Sequence, residues 1–63
     1  PPYYYPLAEI GRRGQMDIPS RDRLIQVLDA GDYRATRTHL DAQAIKTDAP
    51  LATCINAAKS LAQ

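Results

Sequence analysis

Two side chains in this sequence could carry covalent or proton-transfer chemistry near neutral pH, His39 and Cys54, and each is the single residue of its type. Nucleophilic catalysis needs a nucleophile within reach of a base that a third group orients, and structural zinc wants four Cys or His donors. One His and one Cys assemble neither. Asp22, Asp32 and Asp48 fall where helices should begin, so capping and dipole interactions account for them better than acid–base work. No catalytic residue, metal ligand or cofactor is expected, and the chain does not read as an enzyme. The residues whose spacing supports a chemistry are the arginines. Arg12, Arg13, Arg21 and Arg23, followed by Arg34 and Arg37, crowd the first 37 residues, while Lys46 and Lys59 are the only cationic side chains beyond them. Forked guanidinium donors suit phosphate, and interleaved tyrosines offer stacking surfaces for unpaired bases. Arg12, Arg13, Arg21 and Arg23 are therefore candidate phosphate contacts.

The elements that must position these groups read as helices. Ser20 is a good N-cap, Asp22 lies in the first turn, and Leu24, Ile25 and Leu28, widened by Val27, give an apolar stripe that predicts a helix over 20–30. Gly31 stops it. Asp32 can cap a second helix over 33–45, with Tyr33, Leu40 and Ala44 on one side beside Ile45, and with Arg34, Arg37, Thr38 and Asp41 on the other. Pro50 suits the first turn of a third helix over 49–62, where Leu51, Cys54, Ile55, Ala58 and Leu61 form a stripe at i, i+3, i+4, i+7 and i+10. In that stripe Cys54 reads as a small buried hydrophobe. The expected fold class is all-α, a small two- to three-helix bundle over 20–63. Its second and third helices have loosely the outline of a helix-turn-helix, but the turn lacks glycine and the third helix offers few side chains for base edges.

Residues 1–19 read differently. Pro1-Pro2-Tyr3-Tyr4-Tyr5-Pro6 holds three of four tyrosines and three of five prolines, and proline favours extended backbone at and before its own position. An extended arm follows, ending in a Gly11-Arg12-Arg13-Gly14 segment that reads as a flexible joint. Pro2, Tyr3, Tyr4, Tyr5, Pro6, Leu7 and Ile10 are its candidate partner-binding residues, with the phenol rings as amphipathic anchors. Pro1 to Tyr4 also resembles the Pro-Pro-x-Tyr ligands of WW domains, a resemblance confined to four residues that implies a proline ridge packed on a partner's aromatic side chains.

Size sets the final constraint. Sixty-three residues without Phe, Trp or a possible disulfide bury a thin core, and chains below roughly 70 residues commonly lean on a partner. The net charge of +1 argues against a strongly basic nucleic-acid domain. No apolar run is long enough to span a membrane, and the segment reads as soluble. These observations together favour a non-catalytic structural or accessory subunit, such as a virion or multiprotein-complex component, docked to other protein subunits through the arm, with no small-molecule substrate. The alternative is a small nucleic-acid-binding protein that uses the Arg-rich front. A ligand for a WW domain is the third reading.

Overall fold

The computed structural model describes residues 2–62. In chain order the elements are β1 (Tyr3–Pro6), α1 (Leu7–Arg13), α2 (Arg21–Ala30), β2 (Ala35–Arg37), β3 (Ala44–Thr47) and α3 (Leu51–Leu61). The expected all-α bundle is thus corrected to a mixed α/β fold of three helices and a three-stranded sheet. β3 occupies the centre and pairs antiparallel with both β1 and β2.

The largest correction is at 33–45, where two strands and a turn replace the expected helix. Between Tyr33 and Leu40 the stripe is broken, since the i+3 and i+4 positions from Tyr33 are Thr36 and Arg37, and Leu40 is 82% exposed. Thr36, Thr38, Ile45 and Thr47 are β-branched, and such side chains fit a pleated surface better than a helix. Side chain and backbone then fix the register. Thr47 is buried; its Oγ1 donates to the Arg34 carbonyl at 2.6 Å and accepts from the Ala49 amide at 3.1 Å. The Asp48 carboxylate accepts from the Arg34 amide at 2.9 Å. The Arg34 backbone is therefore clamped against the end of β3.

The front of the chain is no free arm. Tyr3 to Pro6 form an edge strand on β3, with Tyr4 opposite Lys46 and Tyr5 opposite Ile45. Proline is tolerated there because an edge strand leaves ladder donors unused. Leu7 opens α1 directly, its amide donating to the Gln43 carbonyl at 2.8 Å. The expected joint at Gly11 to Gly14 is the end of this helix and the turn after it. Gly11 serves close packing, since a Cβ there would lie 3.1 Å from the Met16 and Asp17 carbonyl oxygens. Gln15, at φ 55°, is in the left-handed region, and Met16 and Gln15 donate back to Gly11 and Arg12 in a Schellman closure. α2 ends the same way: Asp32 has φ 69°, and Tyr33 donates to Leu28 and Asp32 to Asp29.

The helices cover one face of the sheet. Leu7 and Ile10 from α1, Leu24 and Leu28 from α2, and Cys54 and Ala58 from α3 close over Ile45 and Ala35. Tyr5, of the same strand parity, packs partly against this core, and its ring stacks on Tyr3 with centroids 5.7 Å apart. Ser20 caps α2 as its type predicts, accepting from the Arg23 amide. α3 starts after Pro50 rather than containing it. No helix among the described residues is long and apolar enough to cross a membrane.

Candidate nucleic-acid interface

The cationic side chains divide into those already paired and those left free. Arg12 and Arg13 both bond Glu9 across one turn of α1. The two guanidinium groups hold the Glu9 carboxyl below its usual range, and Glu9 in turn raises Arg12. Arg21 donates to the Ala42 carbonyl at 2.9 Å and lies 3.3 Å from the Asp22 carboxylate, which also takes Arg37 at 3.2 Å. Arg23, Arg34, Lys46 and Lys59 have no side-chain hydrogen bond or ion pair within the described residues.

Two of these free cations share one surface. Tyr4, Lys46 and Thr36 are cross-strand partners, so their side chains project from the same face of the sheet, opposite the helices. The ammonium of Lys46 lies 5.9 Å from the centroid of the Tyr4 ring. Pro2, Arg34, Thr36, Lys46, Thr47 and Asp48 line a groove of about 600 Å³ along this face. Its one acidic member, Asp48, is bonded to the Arg34 amide. The groove therefore combines two free cations and the Thr36 hydroxyl on a backbone held by the sheet ladder, and the half-exposed Tyr4 ring lies beside it, across from Lys46.

A second groove, of about 750 Å³, runs between the end of α1, the 15–20 segment and the C-terminal part of α3. Arg12, Arg23, Gln15, Ser20 and the carboxylate of Asp17 supply its polar wall. Of the four arginines singled out in the sequence, only Arg12 and Arg23 meet in one groove; Arg13 turns to Glu9, and Arg21 borders a smaller hollow near Ala42.

The front-end residues also part company. Leu7 and Ile10 are buried in this chain's own core, Tyr5 is partly buried, and Pro2, Tyr3, Tyr4 and Pro6 are exposed. Pro1 of the WW-ligand pattern lies outside the described residues, and Tyr3 and Tyr4 are paired in the sheet rather than free to enter a partner's groove. Sequence reasoning passed over Arg34, Thr36 and Lys46. Their signal was a period of two beside β-branched neighbours, hidden by the short length of β2.

No constellation for methyl-group or proton transfer is present among the described residues. All aspartates and His39 are exposed, and Glu9 is occupied by two arginines. No cluster of three His, Cys, Asp or Glu could hold a metal ion there. Cys54 is fully enclosed, and burial pushes its thiol up to about 11, which keeps it protonated and unreactive.

Comparison with known proteins supplies the affiliation. The profile of the N2,N2-dimethylguanosine tRNA methyltransferase family matches residues 1–59. The chain is 37% identical over 51 residues to a mouse tRNA (guanine(27)-N(2))-dimethyltransferase, covering 81% of this chain and 7% of that protein. It is 34% identical over 59 residues to the tRNA (guanine(26)-N(2))-dimethyltransferase of Pyrococcus abyssi, covering 94% of this chain and 16% of that protein. Against the corresponding protein of Aeropyrum pernix the identity is 26% over 58 residues, 92% of this chain and 14% of that protein. The chain thus spans a sixth or less of the length of these relatives. No solved structure matches.

These matches overturn the expectation of a non-catalytic structural or accessory subunit, and with it the virion or assembly role. Other protein subunits as chief partners, the exclusion of enzyme function and the absence of a small-molecule substrate fall with it. The alternative built on nucleic-acid contact is favoured instead. From the first residue to the fifty-ninth, the chain belongs to the N2,N2-dimethylguanosine tRNA methyltransferase family.

Proposed function

We propose that this chain is the tRNA-gripping part of a guanine-N2 tRNA methyltransferase whose methyl-transfer centre lies in the rest of the enzyme. The observation that carries this reading is a contrast. The family match runs over nearly the whole chain, while the described residues offer free cations on open grooves and no enclosed acid or base.

Methylating an exocyclic amine requires an electrophilic methyl donor, a guanine held against it and a group that accepts the departing proton. The residues here do not fit a bound donor: both grooves are open to solvent, and the aspartates and His39 lie exposed on the surface rather than enclosed around a substrate. Holding the RNA backbone suits them better. Arg34, Lys46 and Arg23 are the strongest phosphate contacts because no neighbour neutralises them. Arg12, Arg13 and Arg21 contribute less while Glu9 and Asp22 hold them.

The relatives modify different positions by name, guanine 27 in the mouse protein and guanine 26 in that of Pyrococcus abyssi, at nearly equal identity to this chain. The shared part therefore reads as a general grip on tRNA, with the choice of nucleotide made elsewhere.

The test is a steady-state comparison in the full-length enzyme. Replacing Arg23, Arg34 and Lys46 together by Ala should raise the KM for tRNA by at least about tenfold. The salt dependence should flatten by about one unit of slope for each phosphate that is no longer neutralised. The KM for the methyl donor and kcat should not move. A fall in kcat with an unchanged KM for tRNA would place these residues in the chemical step and overturn the reading.

A further inference from the structure

The uncovered face of the sheet has a more specific chemistry than attraction to phosphate. Strand parity sorts the three front tyrosines into two groups. Tyr3 and Tyr5 stack on each other on the helix side, at 5.7 Å between centroids and 18° between planes, and Tyr5 is further held by the core. Tyr4 points the other way. It is 50% exposed, and the Lys46 ammonium lies 5.9 Å from its ring centroid. That distance is near the outer limit of a cation–π contact, so Lys46 can turn to a phosphate with little loss.

We infer that Tyr4 is a stacking platform for one unpaired nucleotide of bound RNA, with Lys46 and Arg34 taking the adjoining phosphates and the Thr36 hydroxyl within the same groove. This deepens the tRNA-gripping reading and rests on it. The occupant is single-stranded because the platform offers a ring face, which a base can cover only when it is out of a helical stack. Charge selects the same occupant. Arg34 and Lys46 carry no ion pair, and against the one carboxylate, Asp48, which accepts from the Arg34 amide and keeps its charge, they leave the lining net positive. The volume of about 600 Å³ has room for a single nucleotide. The surface is also preorganised: Tyr4 and Thr36 flank Lys46 on paired strands, and the Arg34 backbone is clamped by Asp48 and Thr47.

The probe is a uridine hexamer carrying one 4-thiouridine, bound to the full-length enzyme, irradiated and mapped by peptide mass. The expected crosslinks fall on the peptides holding Tyr4 and Lys46. Tyr4→Ala should remove them and weaken hexamer binding about tenfold, the usual scale for one base–aromatic stack. Tyr4→Phe, which keeps the ring, should restore both. Because Tyr4 is half exposed, neither change threatens the fold; Lys46→Glu gives an independent loss from the same face. Crosslinks confined to other peptides, equal binding by Tyr4→Ala, or equal competition by a uridine–adenine duplex would each overturn the platform. If the triple charge variant raises the KM for tRNA while the Tyr4 crosslink is missing, the grip on tRNA stands and the platform falls. If the charge variant is silent and the crosslink is present, only stacking on the Tyr4 ring survives, and both the general grip and the phosphate contacts assigned to Lys46 and Arg34 fall.

Discussion

On the central strand β3, neighbouring residues live in opposite surroundings. Ile45 and Thr47 are sealed under three helices, at 0% and 1% exposure, whereas Lys46 between them faces outward with Tyr4 and Thr36. A strand's period of two makes this possible without any loop. The inner face uses a leucine and isoleucine cluster, closed by Cys54 and Ala58, and carries the free energy of folding. The outer face makes no such contribution and is free to present cations and a ring. In a chain this small, one strand therefore holds the fold and carries the proposed interface, and the two tasks should be separable by mutation.

The largest effect belongs to the inner face. Ile45→Ala removes a fully buried side chain from the middle of the core, a change that costs about 2–5 kcal/mol. Chemical denaturation should show most of the stability of this unit gone, together with its RNA binding. A loss near 1 kcal/mol would mean that the helices can close over the gap, and that the inner face is less decisive than its burial implies.

Alkaline pH probes the same face through Cys54. Its thiol is pushed up to about 11 from an ordinary 9.0, chiefly by burial. The folded state thus holds its proton more tightly than the unfolded state. Stability from this group is complete below about pH 9 and is lost as pH rises from there to about 11, since the unfolded chain ionises first. The total is on the order of 3 kcal/mol. The difference in unfolding free energy between the native protein and Cys54→Ala, followed from pH 8 to 11 by urea titration, should shrink with about that amplitude. A constant difference would show that water reaches the thiol and that the seal under the helices is incomplete.

Legibility in the sequence followed the same division. α2 and α3 were readable because each carries a full apolar stripe with a cap or a proline at its start: Ser20 before Leu24 and Leu28, Pro50 before Cys54 and Ala58. The strands were not. β2 has three residues and β3 four, too short for alternation to stand out, and Ala44 is buried beside Ile45, which breaks the alternation of β3. Tyr3, Tyr4 and Tyr5 have strong strand preference, but proline on both sides favoured an unpaired arm; only pairing with a strand some forty residues later settles them. The free state of Arg34 and Lys46 depends on which carboxylates lie nearby after folding, and the sequence does not contain that distance. Arg12 and Arg13 looked stronger as phosphate contacts because Glu9 was not counted against them.

The smallest effect on stability is the sharpest test of the comparison, because it must coexist with a large effect on binding. Lys46 lies between Ile45 and Thr47, yet its side chain makes no ion pair among the described residues and only the long contact with the Tyr4 ring. Surface changes of this kind usually move stability by no more than about 0.5 kcal/mol. Lys46→Ala should stay within that range by urea denaturation while measurably weakening tRNA binding in low salt. The weakening should fade as salt rises, since a lysine on a phosphate acts through counterion release. A destabilisation of about 2 kcal/mol or more would show that the methylene stem of Lys46 packs on Tyr4 as part of the fold. The two faces of β3 would then be one cooperative unit, and any loss of RNA binding by outer-face variants would have to be corrected for unfolding before it was assigned to contact.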